Sequence, residues 1–487
     1  MKTKWVSLAM PVFVVLIVII MLSSAGSAIY ATPSGTQAVQ SHSALGDVKE
    51  FRSHHNAEGT NVIFVNNSGS NAQGTGSQNN PYRTINYAVN IAKGFSGRVI
   101  IYVEPGVYQE QINVSNVIKP ESLSIIGVNG RTFIEPSTLY YNVYEQHTSY
   151  LFDDLSGHLS AIVSVQNNTA SISIMGLNVN GNNFQSSYPP GQSGEWAGIA
   201  FINTGGSIAF NKINNITTAK GEMQASVHGI EIKDMSGNAK VAVYRNTLGK
   251  NSGHIFINMI SNGHLRAVVE HNVIVGNYST NHSVVPASGQ FGISSGGLAG
   301  LVIKHNRISD FSDAYGVAAI YLNPEAHGAH VVIEKNIITK SDMGIWLSSV
   351  TGVTISHNFI SAGVAGIWVT RAYGLFGTMS GGPSSLVNIT HNRIVGTDTV
   401  LTPDLIVAMP VDGILISDGH NNVITNNIIS NWYNGIYLGE DSIFFNNTTS
   451  WGSAGIPTGL SGSTTSHNAI EHNIFISDKN AVVTGPV

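Results

Sequence analysis

From about residue 209 to the C-terminus, the apolar and polar positions repeat one short phrase. An alternating apolar run leads to an asparagine, and an isoleucine or similar residue follows. The phrase ends on Asn211, Asn246, Asn272, Asn306, Asn336, Asn358, Asn392, Asn427 and Asn473, as in Ile303-Lys304-His305-Asn306-Arg307-Ile308 and Ile389-Thr390-His391-Asn392-Arg393-Ile394. Between these copies stands a second phrase, a glycine opening an alternating strand: Gly229 to Ile232, Gly344 to Leu347, Gly366 to Val369, Gly413 to Ile416 and Gly435 to Leu438. A period of roughly 20 to 35 residues is that of a solenoid of stacked coils.

Each coil then supplies two or three short strands whose inward Ile, Val and Leu stack on the same residues one turn away. Burying one such side chain contributes about 1.5 to 3 kcal/mol, and a lone coil cannot bury its own. The asparagine marks a tight bend where an amide both donates and accepts along a stack spaced about 4.8 Å. Every coil repeats it, so the column reads as structural.

Upstream, Asn61 to Val65 reads as a strand, Gly74 to Pro81 as a turn, and Thr84 to Lys93 as an amphipathic helix with Thr84 near its N-cap. Arg98 to Glu110 gives a strand and turn, and Ser122 to Gly127 another strand. With Asn80-Pro81-Tyr82-Arg83-Thr84-Ile85 and Val103-Glu104-Pro105-Gly106-Val107-Tyr108, this order resembles the N-terminal opening of the pectate-lyase-like right-handed parallel β-helix proteins. The resemblance extends over about residues 61–480 and implies an all-β, right-handed parallel β-helix solenoid with a short N-terminal capping helix. It is specific for fold and weak for function, because the superfamily holds lyases, hydrolases, esterases, epimerases, phage tail proteins, adhesins and copper-insertion proteins.

The 487 residues include 52 Gly, 15 Pro and no Cys, with 42% hydrophobic and only 10% charged positions. The low charge fits an acidic or otherwise harsh exterior, where carboxylates add little. Without disulfides the continuous core must hold the fold. A net charge of -5 without a basic cluster argues against nucleic acid as the main partner. Lys2 and Lys4 precede an apolar run from Val6 to Leu22 and the small residues Ser23 to Ala28. Residues 1–30 therefore read as an export signal, with an uncleaved membrane anchor as the alternative, residues 31–60 as a flexible linker, and 61–480 as one domain at the cell surface or outside the cell. Sequons at Asn113, Asn215, Asn277, Asn281, Asn388 and Asn446 are compatible with glycosylation.

Strand parity carries the candidate chemistry. In Gly-Ile-Trp-Leu the Ile and Leu point inward, so the residue between them points out. That position reads Glu231, Phe256, Ser294, Tyr321, Trp346, Trp368, Leu415 and Tyr437. In register, Tyr321, Trp346 and Trp368, with Phe256 and Tyr437, form an aromatic stripe on the first sheet, which carries the substrate groove in sugar-active β-helices. Aromatic faces suit the axial C–H bonds of pyranose rings. A covering loop or a protein contact would use the same stripe differently, and insertions at 371–385, 396–411 and 451–466 are placed to wall it.

Near the stripe, Asp412, Asp418, Arg371, Glu231 and Lys233 are the charges that can act on a sugar. Paired carboxylates serve glycosidic cleavage, and an Arg or Lys base beside a uronate serves β-elimination, with calcium as the cofactor to consider for a lyase. Asp153-Asp154 lacks the ordered residues that surround such a pair in polygalacturonase-like hydrolases, and Tyr321 to His327 departs at most positions from the alginate-epimerase pattern. The reading is thus a polysaccharide-engaging protein, as a lyase or glycoside hydrolase, or as a noncatalytic carbohydrate-binding, adhesion or envelope protein. His271, His305, His357, His391 and His472 each precede a ladder asparagine, but Arg245, Lys335 and Asn426 replace them in other coils, so no metal site is assigned.

Overall fold

The computed structural model describes residues 59–137, 143–144, 158–181, 195–216, 227–235, 238–249, 255–276, 291–311, 318–322, 330–371, 382–397, 412–439 and 465–484. Outside them lie the export segment, nearly all of the linker, Asp153-Asp154, Glu325 and His327, most of the three insertions, and the sequons at Asn277, Asn281 and Asn446.

The chain winds into a right-handed parallel β-helix with three strands to a coil. One coil runs through Gly300–Lys304, turns at His305 and Asn306, continues in Arg307–Phe311 and closes with Ala318–Leu322. We call the sheet of Gly-Ile-Trp-Leu strands the first sheet, that of the strands leading into the asparagine the second, and that of the strands leaving it the third. The second sheet has 13 parallel strands, from Thr60–Val65 to Ala469–Glu471. The other two join into 23 strands, because Ile337–Ser348 and Phe359–Thr370 run unbroken through both.

Register explains the core. Ile303, Ile333, Ile355, Ile389 and Ile424 pair successively across the second sheet, and all are fully buried. Each contributes about 1.5 to 3 kcal/mol through contacts that exist only because its neighbours occupy the same register. Each ladder amide donates to the next, as Asn306 Nδ2 does to Asn336 Oδ1 at 3.0 Å and Asn358 Nδ2 to Asn392 Oδ1 at 3.0 Å. The same Nδ2 of Asn306 reaches back to Val269 O at 2.9 Å, tying three coils together. The expected structural role of the asparagines is what these bonds describe.

At the N-terminal end, helix Ile85–Ala92 buries Ile85, Ala88, Val89 and Ala92 against the first strands. Thr84 Oγ1 accepts from Tyr87 N at 3.3 Å, as an N-cap does. Glu110 lies at the same end and accepts from Ile85 N at 2.8 Å and Asn86 N at 3.1 Å. No helix of the described residues is long and apolar enough to cross a membrane.

Candidate functional site

Two columns of side chains share the outer face of the first sheet. One runs Glu231, Asn258, Ser294, Tyr321, Trp346, Trp368, Leu415 and Tyr437. The other, three residues earlier in each strand, runs His228, Ile255, Phe291, Ala318, Met343, Ala365, Asp412 and Asn434. Positions three apart fall on opposite faces of a regular strand. Here the strand bends at the glycine between them, whose Cβ position points inward: at Gly413 it would lie 2.6 Å from Ile429 Cγ2 of the third sheet.

That bend corrects one expectation. Phe256 is not on the outward column; it occupies the inward glycine position of its coil, is fully buried and packs edge-on to Phe311 with ring centroids 5.1 Å apart. Asn258 takes the outward register instead.

The aromatic stripe is in register but not open. Trp346 and Trp368 stack at 4.9 Å and 10°, Tyr321 lies 4.7 Å from Trp346, and Phe291 lies 4.8 Å from Tyr321. The rings thus spend their faces on one another, and Tyr321 and Trp368 are only 3% and 4% exposed. Trp368 Nε1 donates to Ser417 Oγ at 2.9 Å, and Tyr321 bonds Ser348 while burial holds its phenol well above the usual range. Trp346 differs: it is partly exposed, and its Nε1 has no hydrogen-bond partner among the described residues. Tyr437 is likewise partly exposed, beyond Leu415.

The candidate charges fall into separate groups. Asp418 pairs with Arg371 at 2.6 Å just beyond the end of strand Asp412–Ile416, whereas Asp412 opens that strand and accepts from Asn434 Nδ2 at 2.9 Å. Six strand steps, about 29 Å at about 4.8 Å each, separate Asp412 from the strand of Glu231.

Glu231 lies at the centre of the other group. Its Oε2 is 3.1 Å from His228 Nδ1, its Oε1 is 3.8 Å from Lys233 Nζ and accepts from Asn258 Nδ2 at 3.3 Å. All of these side chains are buried. His228 escaped the sequence reading because regular parity puts it on the inner face; the glycine that follows it is the signal that reverses this. The arrangement joins an imidazole, a carboxylate 3.1 Å from it and an ammonium, the parts needed to move a proton next to an anion. Around Glu231 the columns hold Ala200, Asn258, Ala197 and Ile255, so no second carboxylate of the described columns stands beside it. Among the described residues no three His, Cys, Asp or Glu side chains converge as metal ligands.

Stacked parallel coils with this exterior define a pectate-lyase-like β-helix protein. More narrowly, the chain belongs to the family described as "Protein of unknown function (DUF1565)", whose profile matches residues 67–319, a span that includes His228, Glu231 and Lys233. Among solved structures it is similar to the GH136 lacto-N-biosidase from Eubacterium ramulus, at 11% identity and a TM-score of 0.52, over 89% of this chain and 70% of that one. It is also similar to the A-module of the Azotobacter vinelandii mannuronan C-5 epimerase, at 13% identity and a TM-score of 0.48, over 83% and 94%. These likenesses are of fold. No curated protein matches the chain.

Proposed function

We propose that the chain is an exported protein that engages polysaccharide through the outer face of its first sheet, and that His228, Glu231 and Lys233 perform proton transfer there as a lyase-type centre. The observation that carries this reading is the buried trio itself. Charges in such a place cost several kcal/mol each to desolvate, and the buried core is mostly Ile, Val and Leu, so stability alone gives little reason for them. Glycosidic hydrolysis needs two carboxylates about 5 to 10 Å apart, and no second carboxylate of the described columns pairs in register with Glu231. Elimination from a uronate needs a base and a cation beside the carboxylate, which the imidazole of His228 and the ammonium of Lys233 supply. Lys2, Lys4 and the apolar run before Ala28 support export.

A noncatalytic, carbohydrate-binding or envelope role is the second reading, favoured by the closure of His228 and Glu231 to solvent and by the mutual stacking of Trp346 and Trp368. A panel of acidic and neutral polysaccharides, assayed from acid to neutral pH for retention and for new unsaturated or reducing ends, separates the two. Unsaturated ends that vanish in Glu231→Gln and His228→Gln support the lyase. Retention without products, lost in Trp346→Ala, supports the binding protein. Neither signal with any polymer removes the proposal.

A further inference from the structure

The turn that carries the asparagine ladder presents a second row of side chains, on a different edge of the solenoid. The residue before each ladder asparagine lies in the left-handed region: Arg245 has φ 54°, His271 56°, His305 55°, Lys335 54°, His357 57° and His391 57°. Asparagine satisfies this backbone, as Asn426 does at φ 57°. The conformation therefore does not require a side chain able to carry positive charge, yet most of the row has one. The imidazoles stack nearly parallel, His271 on His305 at 4.9 Å and 2°, and His357 on His391 at 5.1 Å and 4°. The row is half-exposed to exposed, and its stacked pairs stand about one strand spacing apart.

Its flanks are mixed in sign. Toward the second sheet stand Tyr244, Glu270, Lys304, Glu334 and, past several neutral coils, Glu471. Toward the third stand Lys212, Arg307 and Arg393. Lys304 neutralises Glu270 at 3.2 Å, His472 Nδ1 is 3.9 Å from Glu471, and His391 Nδ1 meets Thr390 Oγ1 at 2.8 Å.

We propose that this edge is a second glycan site, which takes a linear carboxylated polysaccharide along the histidine row once the imidazoles are protonated. Neighbouring imidazolium rings about 5 Å apart repel each other, and a polyanion lying along them removes that penalty, so binding and proton uptake reinforce each other. Burial and the adjacent His305 hold His271 below its ordinary value. A single chain can follow the row, whereas a flat anionic surface would also meet Glu270 and Glu334. The row lies between the second and third sheets, so it stands independently of the first-sheet proposal.

The test is titration of the purified protein with polygalacturonate oligomers at low salt, at about pH 5 and about pH 7.5. Affinity is expected to be at least about tenfold higher at the lower pH, as several weak, exposed ion pairs add. Replacing His271, His305, His357 and His391 together by Asn, a residue the turn already accepts, is expected to abolish that ratio with unfolding midpoint unchanged; Trp346→Ala is expected to keep it. Should the fourfold variant fold poorly, His357→Asn with His391→Asn is expected to reduce the ratio on its own. Equal affinity at both pH values, a ratio that survives the His variants, or preferential binding of phosphatidylserine vesicles or single-stranded DNA would overturn the proposal.

Discussion

His228 Nδ1 lies 3.1 Å from Glu231 Oε2 although the two are three residues apart in one strand. The bend at Gly229 turns both onto the outer face, where Lys233 joins them. Removing Glu231 takes away a carboxylate 3.8 Å from the buried Lys233 ammonium. Glu231→Ala is therefore expected to destabilise by about 3 to 5 kcal/mol, the usual consequence of breaking a buried pair. Replacing Glu231 and Lys233 together by Leu and Met should recover most of that loss in urea unfolding and leave any activity absent. Recovery of stability with activity intact would show that the trio has no chemical role.

The two tryptophans of the stripe are expected to respond oppositely. Trp368 is enclosed and bonded to Ser417, so Trp368→Ala should cost about 3 to 5 kcal/mol, as large core truncations do. Trp346 is partly exposed, with its Nε1 unpaired among the described residues, so Trp346→Ala should cost less in stability and most in glycan retention. Affinity electrophoresis beside thermal unfolding checks both, and equal losses of stability would mean that Trp346 is also structural.

Interior rungs of the asparagine ladder should matter more than the last one. Asn306 Nδ2 donates to Val269 O, Lys304 O and Asn336 Oδ1, and its Oδ1 accepts from Asn272 N and Nδ2. Asn306→Ala strands several buried partners, each worth about 1 to 3 kcal/mol when unsatisfied. Asn473 is only partly buried, and its Nδ2 donates to Ile424 O while its Oδ1 accepts from Asn427 N and Nδ2, so Asn473→Ala should cost a fraction of that. Comparable urea midpoints for the two variants would argue against a cooperative ladder.

How far the sequence could be read depended on whether a position obeyed the repeat. The ladder asparagines recur in each coil from Asn211 on, so their column is legible, and Tyr321, Trp346 and Trp368 follow from parity within a single phrase. Phe256 and His228 failed the same rule for one cause. The strand bends at the glycine position, and parity counted across that bend inverts; Phe256 fills the glycine position itself, which hid the bend in its coil. Asp412 and Asp418 lie near the stripe along the chain, but whether a carboxylate is committed to a partner such as Arg371 is a tertiary fact that spacing does not encode.

Glu110 gives the fold a pH dependence whose sign follows from its burial. Desolvation raises its pKa above the ordinary 4.5, against the lowering effect of hydrogen bonds from Ile85 N and Asn86 N and Nδ2. The folded chain thus holds the protonated form better than the unfolded chain does. This contribution is fully present below pH 4.5 and is lost as pH rises through the raised folded value. Glu110→Gln, which cannot titrate, is expected to flatten that part of the profile, shifting the difference between the two unfolding midpoints steadily against wild type as pH rises. A difference that moves the other way would mean that the helix N-terminus holds the carboxylate more strongly than burial opposes it. The expected direction suits a chain with only 10% charged residues and a predicted acidic exterior, since the capping helix at Ile85 then gains rather than loses stability on acidification.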